Sequence, residues 1–118
     1  MVNGQPGKLV RLLLSEQDRF GNGSLYEAIV KRCLDLGVAG VTVLRGLEGY
    51  GVSTELHRAH VLAHDQPIIV TIIETAENVQ RILPELEQML GSGVIAISDV
   101  EVIRITHGDK SQLHGASA

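Results

Sequence analysis

The sequence predicts an α+β fold in the order βαββαβ, a four-stranded antiparallel sheet carrying two helices on one face. Three observations lead there. Short apolar runs at residues 8–14, 40–45 and 67–74 are bounded by turn formers and built from aliphatic and β-branched side chains, as strands are. Two longer stretches, 24–36 and 75–90, repeat their apolar residues at helical spacing. A last run from 94 to 105 supplies the fourth strand. With 118 residues, 44% hydrophobic and 20% charged, the chain has the size of one compact domain. That domain is expected over 8–106, with a flexible tail at 1–7 and a loose, polar one at 107–118.

Each element has a local reason. The run at 8–14 is apolar enough to be covered on both faces. After a polar loop at 15–23, Ser24 and Glu27 stand at capping-box spacing, so a helix begins there. Leu25, Ile29, Cys33 and Leu36 fall on one face of it, and Gly37 suits the left-handed residue that follows a helix end. Thr75 caps the second helix, which directs Val79, Ile82, Leu83, Leu86, Met89 and Leu90 inward. Pro84 interrupts that pattern and predicts a kink or break. The first and third strands belong at the centre of the sheet. Two helices cover only one of its faces, so the other is expected to be buried by self-association.

Composition narrows the function classes. A net charge of −4, with Lys and Arg scattered, offers no stripe for a phosphate backbone, so no nucleic-acid partner is expected. Cys33 is the only cysteine, which rules out an intrachain disulfide and reads as a core residue. There is no leader-like start and no apolar run of membrane-spanning length, so a cytoplasmic location is expected. Trp is absent, and Phe20 and Tyr50 each precede a glycine, placing both rings at the surface.

The connection 46–66 is far longer than the usual linker of about 4 to 6 residues, and such connections are commonly functional. It opens with Gly46-Leu-Glu-Gly49-Tyr50-Gly51, either a cradle of exposed N–H groups for a phosphate or a plain hinge. His57, His60 and His64 would line one side of a helix, either as metal ligands or as a solvated loop face. They lack the HExxH spacing and a nearby cysteine. Asp18 and Arg19, in the loop before the first helix, either meet a ligand or hold a turn. No nucleophile stands with a base at a recognisable spacing, so the chain is not expected to be an enzyme.

Leu25-Tyr26-Glu27-Ala28-Ile29-Val30, Gly37-Val-Ala-Gly40-Val-Thr-Val-Leu-Arg-Gly46 and Gly49-Tyr50-Gly51 resemble the PII-like signalling superfamily, most closely the domain of unknown function 190 family. Residues 69–74 and Val100-Glu-Val-Ile-Arg-Ile105 extend the resemblance over about 8–106. It implies a ferredoxin-like subunit in a homotrimer whose sheets face inward, with small-molecule sites between subunits. It also implies a nitrogen regulatory PII-like role, in which the long loop contacts a target protein, often a membrane transporter. On this resemblance Gly46, Gly49, Tyr50, Gly51 and Arg104 bind the ligand, Arg104 from the terminal strand, and Glu55, His57 and Arg58 face the partner.

Departures from the superfamily pattern shape the ligand expectation. Val52 and Ser53 replace a basic and an amide residue, and His57 stands in place of a modifiable tyrosine. The loop 91–95 lacks a lysine, and Thr106 replaces a second arginine. Each lost charge-assisted hydrogen bond is worth about 1.5–3 kcal/mol, so the expected ligand is an adenine nucleotide with fewer phosphates than ATP. Two other readings remain open: a metal-binding module of the copper-tolerance type using His57, His60 and His64, and a small ferredoxin-like enzyme acting at the clefts.

Overall fold

A computed structural model describes residues 3–47 and 66–106 of the chain. Its elements run β1 (Gln5–Ser15), β2 (Arg19–Phe20), β3 (Gly23–Ser24), α1 (Leu25–Asp35), β4 (Val41–Arg45), β5 (Pro67–Glu74), α2 (Ala76–Met89) and β6 (Val94–Val102). The main sheet has four strands in the order β4-β5-β1-β6, with every pairing antiparallel. Strands β1 and β5, the first and third of the expected strands, are therefore central, as the sequence predicts.

Alternation along the strands divides the sheet into two unlike faces. Val10, Leu12 and Leu14 of β1, with Ile68, Val70 and Ile72 of β5, are buried in one cluster with Leu25, Ile29 and Cys33 of α1 and Val79, Ile82 and Leu86 of α2. Both helices thus lie on one face. Burial of Cys33 also pushes its thiol pKa up to about 11, which keeps it protonated and unreactive. The opposite face holds Leu9, Arg11 and Leu13 of β1, Ile69, Thr71 and Ile73 of β5, and Thr42 and Leu44 of β4. Leu44 is 53% and Ile73 42% exposed.

Helix ends follow local chemistry. Beyond α1, Gly37 adopts φ +77°, its N–H reaches the Leu34 carbonyl at 3.1 Å, and the Val38 N–H reaches Cys33 at 3.0 Å. These two bonds make the Schellman closure that Gly37 predicts. Thr75 Oγ1 accepts from the Asn78 N–H at 3.1 Å at the start of α2.

Four expectations are corrected. Ser24 precedes α1, but its hydroxyl donates to the Glu27 carboxylate at 2.7 Å instead of capping a helix N–H. Of the kink or break expected at Pro84, the break does not occur, and helix α2 runs on through it. Both Pro84 and Gln80, whose carbonyl loses its partner, are exposed, so water can satisfy that oxygen while buried residues on either side hold the helix together. Strand β6 stops at Val102 and not at Ile105, since Val102 pairs with Gln5, the first residue of β1, and no strand continues beyond it. The loop 15–23 contains the small hairpin β2–β3, turning at Gly21 with φ +61°. No helix among the described residues is long and apolar enough to cross a membrane.

Candidate functional site

The end of the sheet where β5 runs into α2 gathers the polar chemistry. A cavity of about 360 Å³ opens there on the uncovered face. Its floor is Thr42, Thr71 and Ile73, one side is the Ala39–Gly40 turn before β4, and the other is the segment 103–106 after β6. Arg104 lines this cavity and also a larger cleft, about 810 Å³, that continues around the sheet end past Lys8, Thr75 and Asp99. The guanidinium therefore stands where the two spaces meet, carried by a segment free of the ladder.

Behind the cavity wall lies Glu74, only 7% exposed. Its Oε2 accepts from the Ala39 N–H at 2.9 Å, and its Oε1 accepts from the Thr75 N–H and the Asn78 Nδ2 amide, each at 2.9 Å. One carboxylate thus ties the turn that walls the cavity to the start of α2. Burial works to raise its pKa, but the hydrogen bonds from Asn78, Thr75 and Ala39 and the charge of Arg104 outweigh burial and hold it below its ordinary value. Nothing in the sequence reading singled out Glu74. The signal was present in parity, since Ile68, Val70, Ile72 and Glu74 share the inward face and a carboxylate there needs donors.

Of the expected ligand residues, Gly46 and Arg104 lie in the described part of the chain, and they occupy opposite ends of the sheet. Gly46 directly follows β4, donating its N–H to the Pro67 carbonyl at 2.8 Å, and an added Cβ would sit 2.7 Å from the Pro67 ring. Arg104 lies beside Glu74, at the other end of β5. Eight residues of strand separate the two ends, about 23 Å at strand rise. A single chain does not bring these residues to one small ligand. Arg104 also lies just past the terminal strand and not on it.

Asp18 and Arg19 take their structural reading. Asp18 Oδ2 accepts from the Ser15 N–H at 3.0 Å in the turn that leaves β1, and Arg19 donates to the Asn22 carbonyl at 2.8 Å across the hairpin turn. Phe20 sits at that hairpin, 46% exposed. Gly49, Tyr50, Gly51, Glu55, His57, Arg58, His60 and His64 lie outside the described residues. Among the described residues no group of three or more His, Cys, Asp or Glu is placed to hold a metal ion.

This sheet, with its helix-covered and bare faces, is the PII-like fold. The apo form of CPII from Thiomonas intermedia K12, a nitrogen regulatory PII-like protein, superposes with a TM-score of 0.62 at 20% identity, over 89% of this chain and 100% of that one. CPII bound to ADP, AMP and bicarbonate superposes with a TM-score of 0.62 at 22% identity, over 87% of this chain and 99% of the other. Residues 7–102 match the family DUF190, described as an uncharacterized ACR, and the chain belongs to that family. A UPF0166 protein of Aquifex aeolicus is 35% identical over 98 residues, covering 81% of this chain and 92% of its own. A UPF0166 protein of Methanocaldococcus jannaschii is 31% identical over 102 residues, covering 82% and 92%.

Proposed function

We propose that the protein is a PII-like homotrimeric regulatory sensor, catalysing no reaction, that binds an adenine nucleotide beside Arg104 and signals occupancy through the loop 46–66. The observation that carries this reading is the cavity of about 360 Å³ on the bare sheet face, lined by aliphatic side chains and threonines with Arg104 as its one charged side chain. Its size lies within the range of small-ligand sites. Arg104 supplies charge for one or two phosphates, and the Ala39–Gly40 backbone with Thr42 and Thr71 offers polar contacts for a base or sugar. Solved CPII structures that share the fold hold ADP and AMP, which supports this ligand class.

The separation of Gly46 from Arg104 supports a shared site. Packing the bare faces of three copies together would set the glycine-rich loop base of one copy, Gly46, Gly49, Tyr50 and Gly51, against the Arg104 cavity of the next. A nucleotide in that cleft would then fix the root of the loop, and Glu55, His57 and Arg58 would present the altered loop to a partner protein, with a membrane transporter the leading class. The domain proper begins with β1 at Gln5, inside the tail expected at 1–7, and reaches about residue 106.

Calorimetry with AMP, ADP, ATP and adenosine tests the ligand. The mono- and diphosphates are expected to bind and adenosine to bind more weakly. Arg104→Ala is expected to lower nucleotide affinity roughly ten- to a hundredfold, the loss of one charge-assisted contact. Silence across the panel, or full affinity in Arg104→Ala, contradicts the reading.

A further inference from the structure

The bare sheet face holds a second cation whose surroundings differ from those of every other one described. Lys8 pairs with Asp99, Lys31 with Asp35, Arg32 with Glu85 and Arg45 with Glu16. Arg19 and Arg81 donate to carbonyls, and Arg104 faces Glu74. Of the cations among the described residues, only Arg11 and Arg104 take part in no side-chain hydrogen bond or ion pair, and whereas the charge of Arg104 acts on the Glu74 carboxylate, Arg11 has no carboxylate opposite it in the sheet. It lies in the middle of the central strand β1, opposite Thr71 on one side and Ala96 on the other. Because Val10 and Leu12 point into the core, Arg11 points out of the bare face.

That face offers no counter-charge of its own. Its other residues on β1, β4, β5 and β6 are aliphatic, glycine, proline, glutamine, serine or threonine. When identical copies pack through the same face, each brings only what that face carries. Arg11 would meet aliphatic groups, hydroxyls and further copies of Arg11. A cation removed from water without an anion is strongly disfavoured, so covering this face calls for a negative group from outside it. The register aligns Thr42, Thr71 and Arg11 in one row across β4, β5 and β1, and the first two line the Arg104 cavity.

We propose that Arg11, beside Thr71 at the edge of the Arg104 cavity, is an oxyanion-binding subsite that does not depend on Arg104, completed when copies of the chain cover the bare face. This rests on the assembly reading above. The occupant is a small oxyanion such as phosphate, free or as a group of a larger ligand, and its binding ties assembly to the anion's concentration.

Sedimentation of the full chain in phosphate-free buffer and across an inorganic phosphate titration tests it. For the wild type, assembly is expected to tighten about tenfold per subsite once phosphate reaches ten times its dissociation constant. Arg11→Leu is expected to assemble without phosphate at least as tightly and to show no phosphate response, and Arg104→Ala is expected to keep the response. Arg11→Gln serves in the same way where the leucine variant fails to fold. A wild-type assembly indifferent to phosphate overturns the subsite, and so does loss of the response in Arg104→Ala. Weaker assembly of Arg11→Leu in phosphate-free buffer also overturns it, because a carboxylate from elsewhere would then be the partner. A chain that stays monomeric in every buffer overturns the assembly reading itself and the subsite with it.

Discussion

Removing the Glu74 carboxylate would leave three donors, the N–H groups of Ala39 and Thr75 and the Asn78 amide, without the acceptor they share. Unsatisfied groups at a nearly buried position are costly, so Glu74→Ala is expected to lower unfolding free energy by about 3 kcal/mol. The same residue sets an acid dependence. Its folded pKa is lowered, so its contribution is complete above the unfolded value of about 4.3 and is lost as pH falls through the lower folded value. Urea midpoints measured from neutral pH downward check this. The wild type should lose stability through that window more steeply than Glu74→Gln, and parallel curves would contradict the account. Glu74 and Arg11 share a reason for having been passed over. An ionisable residue inside an apolar strand run looks like a solvated edge position until register shows which face it takes and what stands opposite.

Among the elements, the helices and the central strands were legible because their signals are local. The mostly apolar runs of β1 and β5 placed them at the centre, and Gly37 and Thr75 marked helix ends through chemistry confined to a few residues. The hairpin β2–β3 was not legible, since its strands are two residues each and carry no periodicity. The end of β6 was not legible either, because it is set by where β1 begins and not by its own residues. Pro84 pointed to a break that does not occur. Proline in a helix interior costs about 3 kcal/mol, yet α2 absorbs that cost with its buried side intact. Pro84→Ala restores the missing N–H and is expected to raise stability by about 1–2 kcal/mol, less than the full cost because proline also restrains the unfolded chain. Thermal unfolding measures it, and a loss of stability would mean that the proline ring packs in a way its exposure does not suggest.

For the whole molecule, the decisive feature is the contrast between two sheet faces, one sealed by both helices and one carrying Leu44 and Ile73 exposed and Leu13 and Ile69 half-buried. That contrast was readable from strand composition and helix number, and it is what makes copies of the chain the expected cover. The site was only partly readable. Arg104 and Gly46 were marked by family resemblance, but only the register reveals that they stand at opposite ends of one sheet and must come from different copies to serve one ligand. The account therefore depends most on assembly. Light scattering of the purified full chain at micromolar concentration measures this directly. A mass about three times the chain's 12.7 kDa is predicted, falling to that of one copy when Ile69→Asp places a charge on the bare face. A wild-type mass of a single chain would contradict it.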